Sequence, residues 1–306
     1  MQSNVARRVS SSTDTGVVGT PTLPPQGVST RVLGGIAEDA TLSAPGVFLI
    51  VLAFILPIGQ MLLLSIENAG GGLTSEHFTR FLGDSYYLGI VWRTLRLSLL
   101  ITVIAAAIGF PLAYVMAHVG PRLRLWLIVL VILPLMTSVV VRTFGWMVLL
   151  GRGGLVPFTL WKLGFVNRNF TLMQTESAIV IGMVQVLLPF MTLSVLGVVM
   201  KIDRRLEEAA RTMGASFLAT LRTVVLPLAM PGIVAGSLLV FTLSVSSFIT
   251  PSLLGGVRLP VVAGSIYEAA TKTLEWNFAA AQSVILLIGV FLVLLPYLKL
   301  TGRRHG

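Results

Sequence analysis

The chain has no cysteine, which excludes disulfides, thiolate nucleophiles and cysteine-built metal centres. Histidine is almost as scarce: His77, His118 and His305 lie far apart, and no pair has the spacing of metal ligands. No metal site is therefore expected. Charge is thin as well, at 11% of residues against 55% hydrophobic and a mean hydropathy of +0.91, which is too apolar for a soluble domain of 306 residues. Acidic groups are the rarest charges, with 12 Asp and Glu against 22 Lys and Arg, and none falls inside a long apolar run. That removes paired intramembrane carboxylates, and with them the group on which a proton- or sodium-coupled carrier usually depends. No catalytic triad spacing occurs, and Gly151-Arg152-Gly153-Gly154 lacks the Gly-Lys-Ser/Thr ending of a nucleotide-binding loop. No catalytic residue is assigned, and the chain is not expected to be an enzyme.

What remains is apolar length. Six runs, at about 45–66, 94–119, 125–150, 177–200, 228–250 and 279–298, are each long enough at 1.5 Å per residue to cross about 30 Å of hydrocarbon. The expected fold class is all-α, a polytopic membrane protein with six transmembrane helices. Pro134 is expected to kink the third span. Residues 1–40 are rich in Ser, Thr, Gly and Pro without apolar periodicity and read as a disordered tail, leaving 41–306 as the membrane domain. Arg7 and Arg8 precede Ser10-Ser11-Ser12 rather than an apolar core, so no cleavable signal peptide is expected. Residues 67–91 and 151–176 read as outer loops, and the stretch from Tyr267 to Trp276 as a re-entrant or surface helix.

The basic residues fix an orientation. Thirteen Lys and Arg fall on the side of the two termini and of the loops at 120–124 and 201–227, six fall on the other, and Arg93, Arg96 and Arg142 stand at or within span ends. By the positive-inside rule both termini are cytoplasmic. The excess of +10 is spread over loops instead of being massed in a patch, so nucleic acid is not an expected partner.

The charge-rich, helix-compatible run lies at about 201–227. At helical period Leu206, Ala210, Met213, Phe217 and Leu221 share one stripe, while Arg204, Glu208, Arg211 and Arg222 fall opposite, with Arg204–Glu208 and Glu208–Arg211 spaced for local ion pairs. Gly214 is the expected stop of a first short helix, Ser216 the cap of a second, and Pro227 its end. An interfacial amphipathic helix has the same pattern.

Glu208-Ala209-Ala210, three residues, Gly214, nine residues, then Val224-Val225-Leu226-Pro227 resembles the cytoplasmic loop shared by permease subunits of binding-protein-dependent ABC importers. The resemblance implies a type I ABC importer permease fold and a coupling helix, in which Glu208, Ala209, Ala210, Arg211 and Gly214 contact an ATPase. Further segments, Val141-Arg142-Thr143-Phe144-Gly145-Trp146, Leu188-Pro189-Phe190-Met191 and Phe248-Ile249-Thr250-Pro251, resemble spermidine/putrescine-type permeases. One position departs from that pattern: members resembling polyamine carriers often have an acidic residue before the Phe of the last segment, where this chain has Ser247. Neutral, zwitterionic and anionic solutes therefore stay open beside polyamine-like and amino-acid-like ones.

The implied partners are two copies of an ATP-binding subunit, a second homologous permease, a periplasmic or lipoprotein substrate-binding protein and the lipid bilayer. The chain itself would hold no cofactor, ATP and Mg being bound by the ATPase. The implied location is the bacterial cytoplasmic (inner) membrane. Arg142, Gln185, Ser246, Ser247 and Thr250 are candidates for the solute pathway. Arg142 fits a snorkelling arginine equally well, and the hydroxyl residues fit helix-packing contacts. An ion-coupled secondary transporter or channel is the alternative class.

Overall fold

The computed structural model describes residues 28–68 and 70–302, with side chains described at 45–46, 48–68 and 70–293. The chain divides into two units, one ending at Pro57 and one beginning at Ile58. Helix α1 (Val28–Ile66) starts inside the stretch expected to be a tail; the remainder of that expectation, residues 1–27, lies outside the described residues. In the first unit the side chains from Phe48 to Leu56 stand exposed, as befits a face made for lipid or another chain.

The second unit is helical, so most of its backbone hydrogen bonds close within a segment, as an apolar medium favours. Helix α2 (Glu76–Gly83) leads into α3 (Ser85–His118), so the outer loop expected at 67–91 is largely helix, and the second span is longer than its apolar run. Asp84 caps α3 by accepting from the Tyr86 N–H at 2.8 Å. The third span is not a kinked rod. It breaks into α4 (Pro121–Ile132), a 3-10 turn at Leu133–Met136 and α5 (Val139–Leu150), because Pro134 has no N–H to continue the ladder. Helix α6 (Leu155–Lys162) continues from α5, and Val139–Lys162 is the stretch long and apolar enough to span here rather than the expected 125–150; α7 (Glu176–Val199) is the fourth span.

The fifth span also differs from its expected limits. Phe217–Ser246 is one apolar helical stretch, formed by α9 (Phe217–Thr220), a π turn at Leu221–Val225 and α10 (Leu226–Ser246). Pro227 opens α10 rather than ending a helix. The preceding turn has widened to i→i−5 bonding, Leu226 N–H donating to Leu221 O, which suits a ring with no donor of its own. At the far end the helix stops at Ser246, short of Thr250. The chain re-forms as α11 (Ile249–Gly255) and α12 (Val262–Thr271), and the helical stretches on either side of the Leu259–Val261 break meet at 86°. Helix α13 (Trp276–Gly302) completes six stretches able to span a membrane among the described residues.

Helices α3, α7 and α10 form the core, with α7 the most enclosed. Glycine sets their separation. A Cβ on Gly109 of α3 would lie 2.8 Å from Met191 Cγ, and one on Gly236 of α10 would lie 2.8 Å from Met191 Sδ. Met191, fully buried on α7, is thus wedged between two glycine surfaces.

Candidate functional site

The loop at 203–225 is built by local rules. Asp203 caps α8 (Arg204–Thr212) by accepting from the Arg205 N–H at 3.0 Å. Gly214, at φ +88°, lets the chain turn back, with Ala215 N–H donating to Ala210 O at 3.0 Å. Ser216 then caps α9 by accepting from Ala219 N–H at 3.3 Å. The helix stop at Gly214 and the cap at Ser216 are as the sequence led us to expect.

The facing of α8 is not. Leu206 and Met213, placed on the apolar stripe, are 48% and 82% exposed, and Phe217 is exposed beside them. The buried pair in α8 is Glu207 and Ala210. Glu207, 6% exposed, accepts from the Tyr114 hydroxyl at 2.8 Å through Oε2 and meets His118 Nε2 at 3.0 Å through Oε1. The other ring nitrogen of His118 lies 2.8 Å from Tyr114 O.

Arg204 donates to Ala117 O at 2.9 Å, and Arg124 donates to the carbonyls of Met116, Ala117 and Val119, so two guanidiniums cap the end of α3. The anticipated pairs of Glu208 with Arg204 and Arg211 do not form. Arg204 is turned to α3, and Arg211 lies over the Phe217 ring, 5.8 Å from its centroid. Glu208 and Ala209 remain exposed next to Leu206 and Met213, while Ala210 faces inward. Beneath them His118, Arg124, Arg204 and Glu207 line a polar cavity of about 180 Å³.

Periodicity missed Glu207 because a carboxylate on a polar helix reads as solvated. Its i, i+3 relation to Ala210 was the available signal, and its partners stand some ninety residues away.

The pathway candidates do not gather into one site. Thr250 is buried and shares a hydrogen bond of 3.1 Å with Thr143, joining α11 to α5. Arg142 is bound to the break before α5: its guanidinium donates to Thr137 O at 2.9 Å and also to Pro134 O, which accepts from the Thr137 N–H and hydroxyl as well. Gln185 accepts from Trp146 Nε1 at 3.4 Å. Ser246 is exposed and bonds back to Thr242 O at 3.0 Å, while Ser247 is the half-buried C-cap of α10. Thr192, Ser244 and Gln282 are buried with hydroxyl or amide atoms lacking a partner among the described residues.

At the opposite end from the loop, Tyr86, Phe248, Tyr267, Glu268 and Lys272 border a cavity of about 240 Å³. Phe248 and Tyr267 stack at 4.8 Å, and Glu268 and Lys272 pair at 2.7 Å. The carboxylate holds the Lys272 ammonium above its ordinary pKa. Arg80–Glu275 at 3.1 Å and Arg96–Glu176 tie the helix ends on this side.

Helix α8 thus stands on polar anchors between the fourth and fifth apolar spans. Residues 109–300 match the family model described as the binding-protein-dependent transport system inner membrane component. The chain belongs to that family. The permease is 36% identical over 235 residues to the spermidine/putrescine transport system permease protein PotB of Haemophilus influenzae, covering 76% of this chain and 82% of the relative. It is likewise 36% identical over 225 residues to PotB of Escherichia coli K12, covering 73% and 81%. A chain in the crystal structure of a bacterial alginate ABC transporter with an alginate pentasaccharide-bound periplasmic protein shares the fold. Its TM-score is 0.75 at 18% identity, over 89% of the permease and 98% of that chain. The protein is therefore a multi-pass inner-membrane permease subunit of an ABC importer for a small solute, and the comparisons do not favour the ion-coupled class.

Proposed function

We propose that the loop at 203–225 is the dock for a separate ATP-binding subunit, present in two copies, and that hydrolysis of ATP with its Mg takes place there rather than in this chain. The observation that carries the reading is the outward face of α8. Leu206 and Met213 stay exposed while a carboxylate is buried in their place, an arrangement that costs solvation energy unless a partner covers the apolar side. Glu208, Ala209 and Arg211 border that face, and Gly214 shapes its end. A second permease completes the translocation pathway, a periplasmic or lipoprotein binding protein delivers the solute, and both termini lie in the cytoplasm, in keeping with the excess of Lys and Arg on the loop side.

The solute is proposed to be a polyamine-like organic cation. The relatives named for spermidine and putrescine support this, and so do the ring faces of Phe248 and Tyr267 at the cavity, which suit an ammonium group. Ser247 supplies no carboxylate, and Glu268 is paired with Lys272, so an ammonium group there would have to displace the lysine or rest on the ring faces alone.

The test is disulfide or bifunctional cross-linking from Leu206→Cys to the ATPase subunit of the assembled complex. Cross-linking at Leu206, and none from a cysteine placed at Val257 in the outer segment, is the expected result; the reverse pattern would overturn the dock and the orientation together.

A further inference from the structure

We infer that Glu207 is the positioning residue through which the cytoplasmic loop moves the bundle, and that α3 is the rod it moves. The inference rests on the reading of that loop as an ATPase dock and concerns the inner side of the same joint.

A carboxylate taken out of water needs close polar partners to remain ionised. Both oxygens of Glu207 have one, Tyr114 and His118, and these stand one turn apart on the same helix. Arg204, from the first turn of α8, reaches Ala117 O in that turn. Three side-chain bonds from α8 thus converge on the last turn and a half of α3, and the Tyr114 ring also meets Phe217 edge-on at 6.0 Å.

The other end of α3 is fixed just as specifically. Thr94 Oγ1 accepts from the Val262 N–H at 3.0 Å, a buried bond at the start of α12, and Arg93 donates to Pro260 O at 3.2 Å. Pro260 lines the outer cavity. Between Thr94 and Tyr114 α3 runs about 30 Å without a break, inside a helix of 34 residues that continues past Pro111. Two other routes are softer, the α4–α5 span being broken at Pro134 and α10 being reached from the loop through a π turn, while the unbroken α7 packs against α3 and moves with it. A push on α8 is therefore delivered to the outer cavity through α3, as a rigid-body displacement.

The experiment uses the assembled complex, with both permeases and the ATPase in proteoliposomes. An environment-sensitive fluorophore is attached at Val257→Cys, which is 94% exposed beside the outer cavity. ATP with vanadate is expected to shift its emission in the otherwise unsubstituted complex. The isosteric Glu207→Gln should leave ATP hydrolysis within about twofold while cutting that shift at least fivefold. Thr94→Val, at the far end of α3, should do the same, and the two together should be no worse than either alone. An unchanged shift in Glu207→Gln overturns the inference, as does a loss of shift matched by an equal loss of hydrolysis, which is the behaviour of a merely structural residue. Absence of any ATP-dependent shift in the unsubstituted complex would overturn the rod, whereas the cross-link from Leu206 judges the dock separately.

Discussion

Glu207 and Glu208 are neighbours in α8 with opposite surroundings, one enclosed by Tyr114 and His118 and the other open to solvent. Reversing the outward charge, in Glu208→Lys, is expected to abolish uptake while membrane insertion and expression stay normal, which uptake assays and fractionation on one strain would show. Gly214 makes a different demand. A Cβ there would touch nothing within 4 Å, so the penalty of substitution is conformational, from φ +88°. Gly214→Ala should cost about 1 kcal/mol and Gly214→Val more, since β-branching disfavours this region further. Helicity and melting of the detergent-solubilised protein would reveal only that modest loss, while uptake falls steeply because the loop's exit is redirected. Thr250 is expected to act as packing. Thr250→Val leaves Thr143 without its 3.1 Å partner and should destabilise by about 1–2 kcal/mol with the KM for solute unchanged. A large rise in KM without a stability loss would return Thr250 to the pathway.

Among the elements, the broken third span and the α3–α7–α10 core carry the main mechanical contrast. Arg142 bridges the break by donating to carbonyls of Pro134 and Thr137, a task that suits a planar guanidinium with several donors. Arg142→Lys is therefore expected to melt lower than the parent by several degrees and to lose much of the stability that Arg142→Ala loses, as thermal unfolding in detergent would register. A lysine variant as stable as the parent would mean that charge alone suffices there. In the core, Gly236→Leu drives a side chain into Met191 and should destabilise by about 1–3 kcal/mol, whereas Met191→Ala made together with it restores part of the loss. Helix spacing set by glycine thus keeps α3 close enough to α7 to act as one body.

For the molecule as a whole, the purified permease reconstituted alone should move no solute against a gradient, whatever ion gradient is imposed, because no carboxylate lies inside its apolar runs to couple one. Uphill flux by the isolated chain would contradict the proposed division of labour. Much of the architecture was legible beforehand. Apolar length announced six spans, and Gly214 and Ser216 marked a helix stop and a cap, because these features depend on residues close in sequence. Span limits were less legible: Pro134 broke a helix where a kink was expected, and Pro227 opened one where an end was expected. A proline's effect depends on which neighbouring carbonyls find other donors.

The order of residues by itself determined that this chain lies in a membrane, with a polar helical loop after its fourth span, since hydration energy and helix period act on short stretches. Which face of that loop turns inward was decided only by the tertiary structure. Burying Glu207 is tolerable solely because Tyr114 and His118 arrive from another helix to replace the water it gave up.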